Sequence, residues 1–291
     1  MSYRINSFIA FALLIIMFIT SCEVYNPSEI IPSYIKIDKV SFQTTSYTQG
    51  SNSSNITDAW VYIDDQTIGS FELPAKIPVL YEGKHSIKIY PGIKINGISS
   101  TRGIYPFYTD TVMTANLKKD SILYIKPSFT YSNAKFEWIE SFDNGGISMT
   151  KVTSASDTII TKNTTETDKV YGGTYCGQIA LTTDKSKFEC ITLNSYSLSA
   201  GTPVYLELDF KCEQEFTVGL VSEDGTAYDV LTLNPTSSWK KVYVNLSNAV
   251  SSLTGNNKFY VYFQATLTTG LTTSNIYLDN IKLLHYNYSS K

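Results

Sequence analysis

Four residues in the C-terminal half have the chemistry to recognise a hydroxyl-rich ligand. In the run from Lys258 to Leu267, the apolar residues Phe259, Val261, Phe263 and Ala265 share one phase of an alternating strand, leaving Tyr260, Tyr262 and Gln264 on the other. Tyr228 falls on the outward phase of a second apolar run. Leu231 and Leu233 place Asp229 on the inward phase, an awkward position for a carboxylate. Phenol rings offer flat surface to the C–H faces of a sugar, and an amide bonds to hydroxyls. Tyr228, Tyr260, Tyr262 and Gln264 are therefore a candidate glycan-binding face. Tyrosines on an exposed β face serve equally as cross-strand packing pairs worth about 0.2–1 kcal/mol each, and the sequence leaves both assignments open.

Other reactive residues are sparse. Glu137, Glu140 and Asp143 cluster on one strand and its turn. A glycosidase instead needs two carboxylates flanking the scissile bond, roughly 5–9.5 Å apart. Nucleophile-elbow, phosphate-loop and metal-hydrolase motifs are absent from the sequence. His85 and His285 are the two histidines, far apart and away from any cysteine, and they read as ordinary strand residues. The chain is therefore expected to be non-enzymatic and to require no cofactor. Beyond Arg4 the one arginine is Arg102, close to Tyr105, Phe107 and Tyr108. Arginine beside aromatic residues suits a partner interface. It suits equally a buried carboxylate within its own domain.

The elements that must position these residues are strands. The 291 residues are 43% hydrophobic and only 17% charged, and they include 22 tyrosines and 14 phenylalanines, which argues against a disordered tail protein. A net charge of −3 argues against a nucleic-acid partner. Period-two alternation dominates from Tyr34 onwards, and no long window has convincing helical spacing. Asp64-Asp65-Gln66 separates two β-forming runs as a hairpin turn. A break near Ser132-Asn133-Ala134 divides the pattern into a first β-domain over 34–132 and a second over 136–287. In the second, Val204, Leu206 and Leu208 read as core and oppose Tyr205, Glu207 and Asp209. Val242, Val244 and Leu246 likewise leave Tyr243 and Asn245 outward. Cys176, Cys190 and Cys212 are an odd number, so one disulfide with a remaining thiol is one arrangement, and spacing does not decide the pairing.

Residues 1–22 begin with a basic Arg4 and an apolar run from Phe8 to Ile19, too short to span a bilayer as a helix but suited to a signal peptide. The run ends in Ile19-Thr20-Ser21-Cys22, which resembles the lipobox of bacterial lipoproteins. That resemblance implies cleavage after residue 21, lipidation of Cys22, a tether over 22–33 and anchoring to the outer membrane, at its periplasmic face or at the cell surface, as in Bacteroidetes lipoproteins.

The segment AWVYIDDQTIGSFELPAKIPVLYEGKHSIKIYPGI resembles PEGA-type and related immunoglobulin-like or transthyretin-like β-sandwiches, which implies a spacer or partner-binding module. In the second domain, Trp138 to Gly145, Val170 to Tyr175, PVYLELDFKC, SSWKKVYVNLS and IYLDNIKLL resemble, in order, the strands of galactose-binding-like jelly rolls. These include many carbohydrate-binding modules. The resemblance implies a polysaccharide ligand and a structural Ca²⁺ held by Glu140 or Asp143, by carbonyls around residues 171–173, and by Asp279. It also implies that Trp239, just before a core strand, packs rather than stacks on ligand, and Trp60 and Trp138 read as core in the same way. The expected fold is all-β: an immunoglobulin/transthyretin-like sandwich, then a jelly roll. The expected function is lipid-anchored glycan binding. The alternative is a scaffold subunit of an envelope protein complex.

Overall fold

The computed structural model describes residues 31–164, 173–253, 255 and 258–286. Cys22 and the tether up to residue 30 lie outside the described residues, as do residues 170–172. Among the described residues no helix is long and apolar enough to cross a membrane.

The first half forms β1 (Ser33–Ile37), β2 (Ser41–Phe42), β3 (Asp58–Ile63), β4 (Gln66–Glu72), β5 (Ala75–Val79), β6 (Gly83–Lys94), β7 (Arg102–Ile104), β8 (Thr111–Leu117), β9 (Ile122–Ile125) and β10 (Ser128–Phe129). One sheet runs β4-β3-β6-β7, with β8 also on β6, and it faces a smaller sheet ordered β5-β1-β9. Alternation works as the sequence predicts. Ile35, Ile37, Ile77 and Val79 from the small sheet, and Val61, Ile63, Ile87 and Ile89 from the large one, are buried in a common core. Asp64 and Asp65 both take left-handed backbone angles, φ 48° and 62°, so they form the two-residue turn whose twist suits a tight hairpin.

The second half forms β11 (Ala134–Glu140), β12 (Met149–Lys151), β13 (Ile160–Asn163), β14 (Cys176–Thr182), β15 (Lys187–Thr192), β16 (Tyr196–Ser197), β17 (Val204–Cys212), β18 (Phe216–Ser222), β19 (Ala227–Leu233), β20 (Thr236–Asn245), α1 (Ser247–Ser252), β21 (Lys258–Thr266) and β22 (Thr273–Tyr286). Two six-stranded antiparallel sheets face each other, one ordered β13-β14-β22-β17-β20 with β11 on β22, the other β12-β15-β21-β18-β19 with β16 on β21. Their inner faces meet in a single core that includes Leu206, Leu208, Val242, Val244, Val218, Leu220, Val261 and Phe263. The expected all-β class and jelly-roll layering are both present.

The two sheets of this domain differ on their outer faces. β17 is buried at eight of nine positions, where a half-exposed strand would alternate. Continuous burial means cover on both faces, and the cover here is the N-terminal sandwich. Tyr205, Tyr243 and Leu284 belong to the N-terminal core cluster rather than to that of their own domain. A parallel bridge between Ile95 and Tyr243 joins the domains through the backbone. Asn96 N–H donates to the Tyr243 carbonyl at 2.9 Å, and Asn245 N–H donates to Asn96 Oδ1 at 2.8 Å. Among the described residues, none of the N-terminal sandwich covers the outer face of the β21 sheet in this way.

Candidate functional site

β21 lies in the middle of the uncovered sheet, between β15 and β18. Tyr260 is half-buried there and Tyr228 on β19 is exposed. Tyr262 is not available, which corrects the alternation reading: it is only 2% exposed. Its ring lies flat across Gly219, where an added Cβ would sit 2.4 Å from the ring and 2.3 Å from the Tyr228 carbonyl. Outward phase therefore does not mean exposure when the cross-strand neighbour is a glycine. Asp229 is corrected in the other direction. A register shift between Val218 and Gly219 sets Asp229 opposite Gly219 and turns it outward, into solvent. The Gln264 amide donates to both Asp229 oxygens, at 3.2 and 3.3 Å. The same register sets Tyr228 opposite the core residue Leu220, so Tyr228, exposed at the sheet edge, is turned to the other side from Asp229, which corrects its outward reading. The face thus presents one phenol, Tyr260, beside a fixed amide–carboxylate pair.

Each of the three carboxylates expected to hold calcium has hydrogen-bond partners within the chain, and residues 171 and 172, whose carbonyls belong to the expected set, lie outside the described residues. Glu140 is buried and accepts from Phe142 N–H at 2.8 Å, Ser148 N–H at 2.7 Å and the Ser148 hydroxyl, so its carboxylate ties down the loop after β11. Asp143 Oδ1 accepts from Thr174 N–H at 2.8 Å and Tyr175 N–H at 3.0 Å. Asp279 accepts from Asn280 N–H at 2.7 Å. Burial, with the Asp209 and Asp143 carboxylates nearby, pushes its pKa up to about 8. Among the described residues no three carboxylate, imidazole or thiol groups are placed to hold a metal. The histidines have local partners: His85 Nδ1 lies 2.6 Å from Asp64, and His285 Nε2 lies 2.8 Å from Glu137. Cys176, Cys190 and Cys212 are buried and form no disulfide among the described residues.

Arg102 and its aromatic neighbours do not form an exposed anchor. The guanidinium pairs with the buried Asp58 and, at 3.0 Å, with Glu72, which is the intradomain alternative. Tyr105, Phe107 and Tyr108 are buried against the C-terminal domain. They are interface residues, but the partner is the other half of the same chain. At the centre lies Glu207, fully buried. Its Oε1 accepts from the Tyr105 hydroxyl at 2.8 Å and its Oε2 from Tyr131 at 2.8 Å, with the Lys241 ammonium 3.2 Å away. Lys282 donates to the Ser51 carbonyl at 2.6 Å and to Tyr131 at 3.1 Å, and burial lowers its pKa to about 7.

Sequence reasoning missed this network. Its signal was the polar phase of β17, which carries Glu207 and Asp209 in mid-strand between tyrosine and apolar neighbours. One of the three tryptophan expectations also changes, that for Trp60. Trp138 is core, with its indole N–H donating to Ser148 Oγ at 2.8 Å. Trp60 is only half-buried and packs over Gly92. Trp239 is half-buried on the outer phase of β20 beside Tyr277, with ring centroids 6.4 Å apart.

No family model matches this chain, and no curated protein matches it. Among solved structures, it is similar to a carbohydrate-binding module of family 29, at 16% identity over 53% of this chain and 89% of that one, with a TM-score of 0.34. A variant of such a module complexed with mannohexaose is 18% identical over 53% and 92% of the respective chains, with a TM-score of 0.35. An exo-beta-agarase is 11% identical over 52% and 25%, with a TM-score of 0.37. The jelly-roll assignment rests on the strand order and the shared core described above.

Proposed function

We propose that this chain is a non-catalytic glycan-binding protein, lipidated at Cys22 and held at the outer membrane, with the uncovered face of the β21 sheet as its recognition surface. One observation carries the reading. Of the two jelly-roll sheets, one is roofed by the N-terminal sandwich, while the other leaves Tyr260 and the Gln264–Asp229 pair open. A ring beside a fixed amide and carboxylate matches the two faces of a sugar, apolar C–H and polar hydroxyl. In calorimetry against a panel of polysaccharides, Tyr260→Ala and Gln264→Ala should each weaken binding about tenfold, or ~1.4 kcal/mol. Binding that ignores both substitutions would exclude this face. Lipidation has its own assay: the wild type should partition into a detergent phase, and Cys22→Ser should not.

A scaffold role in an envelope complex is the second reading. It is favoured by the edge strand β9, which exposes Ile122 and Tyr124 at 40% and 62%. A stoichiometric partner recovered from detergent-solubilised membranes, and lost with Tyr124→Lys, would support it.

A further inference from the structure

Beyond the edge of the N-terminal roof, the outer phase of the covered sheet continues into an open cleft. Along β17 that phase runs Glu207, Asp209, Lys211. Along β20 it runs Tyr243, Lys241, Trp239, with Asp209 opposite Lys241. Glu207 and Tyr243 lie under the roof. Asp209, Lys241 and Trp239 instead line a cleft of about 340 Å³ whose other wall is Ser53, Ser54 and Asn55 of the N-terminal domain. A second cleft of about 450 Å³ shares Asn55, Lys240 and Lys241 with it and reaches Thr236. Both volumes are those of small-molecule sites.

Three side-chain atoms of residues lining the first cleft are buried without a hydrogen-bond partner among the described residues: Asp209 Oδ2, Trp239 Nε1 and Lys241 Nζ. Asp209 is 2% exposed. Lys241 lies 3.2 Å from Glu207, but an ammonium carries three protons. Buried polar groups in folded proteins are nearly always paired, so three gathered at one junction mark a place where partners come from a ligand. Together they offer a carboxylate acceptor and two N–H donors, next to the Trp239 and Tyr277 rings. A ligand that satisfies them has closely spaced hydroxyls that both donate and accept, and one apolar face.

We propose that this interdomain cleft is a second saccharide site, taking one pyranose ring of a neutral oligosaccharide, with ring hydroxyls donating to Asp209 and accepting from Trp239 and Lys241. It rests on the glycan reading above for its ligand class and shares none of that face's residues. Because Ser53, Ser54 and Asn55 form one wall, the site exists only where the two domains are joined.

The test is an indole ¹H–¹⁵N titration of the full, detergent-solubilised chain with cellohexaose, mannohexaose and xylohexaose, the Trp239 signal being assigned by Trp239→Phe. At least one probe should shift the Trp239 signal saturably while leaving the internally bonded Trp138 signal in place. Asp209→Asn should weaken that response tenfold or more, and Tyr260→Ala should leave it unchanged. Saturable binding that leaves Trp239 silent and is lost with Tyr260→Ala would overturn the cleft while sustaining the open face. Silence of Trp239 with all three probes, without binding at either face, would overturn both. A shift of equal affinity with glycerol would also overturn the cleft site, since it would then hold any polyol.

Discussion

Removing the Glu207 carboxylate tests whether the two sandwiches are one cooperative unit. Glu207→Ala leaves the Tyr105 and Tyr131 hydroxyls without their acceptor and leaves the buried Lys241 ammonium without its carboxylate partner. Breaking one side of a buried ion pair costs about 3–5 kcal/mol, most of it the price of the charge left behind. Glu207→Gln keeps an oxygen acceptor and the side-chain volume but loses the charge, so it should cost less, about 1–3 kcal/mol. The order wild type, Gln, Ala is the signature of the network; a side chain that only fills space would put Gln level with wild type.

Urea unfolding of the wild type should be a single transition by both tyrosine fluorescence and circular dichroism, because Tyr205, Tyr243 and Leu284 are packed in the first domain's core. With a denaturant slope of about 3 kcal/mol/M, Glu207→Ala should lower the midpoint by about 1–1.7 M or split the transition in two. A shift below roughly 0.2 M with one transition retained would show that the domains are joined by apolar contact alone, and the role assigned to the network would fall.

The pH dependence should follow two buried groups. Asp279 is held well above its ordinary value of 3.8, at about 8, so the stability it contributes is complete below pH 4 and is lost as pH rises through 8. Urea midpoints at pH 5 and 8 should therefore converge in Asp279→Asn relative to wild type. Lys282 is depressed from 10.5 to about 7, so its contribution is complete above pH 10.5 and is lost as pH falls through 7, and Lys282→Met should flatten that limb. Gly219→Ala should destabilise by about 1–3 kcal/mol in thermal melts, because its Cβ would collide with the Tyr262 ring and the Tyr228 carbonyl. A thiol reagent should leave Cys190 and Cys212 unmodified in the folded chain, where burial holds both thiols protonated, Cys212 at about 11, and should modify them on unfolding in urea.

Alternation was enough to place the strands and both cores, because each inward phase is filled by aliphatic and aromatic residues that have nowhere else to go. It assigned Phe259, Val261 and Phe263 correctly for that reason. It could not say what lies over an outward phase. Tyr243, Tyr260 and Tyr262 are all outward, yet one is roofed by another domain, one is half-open, and one is folded flat over Gly219. A single unpaired residue in β19 reversed the side on which Asp229 sits, and no propensity marks that bulge. The same limit explains Arg102, where sequence counts the aromatic neighbours but not Asp58, brought alongside by the β3–β6–β7 pairing. What was legible and unexploited was the density of ionisable residues on the polar phase of β17. Mid-strand carboxylates at Glu207 and Asp209 are costly unless something answers them. Glu207 is answered by two tyrosines and a lysine from both sides of a domain boundary, whereas Asp209 Oδ2, one residue pair further along, is not answered by any of the described residues. That difference along one strand marks where the internal interface stops and a surface able to take a ligand begins.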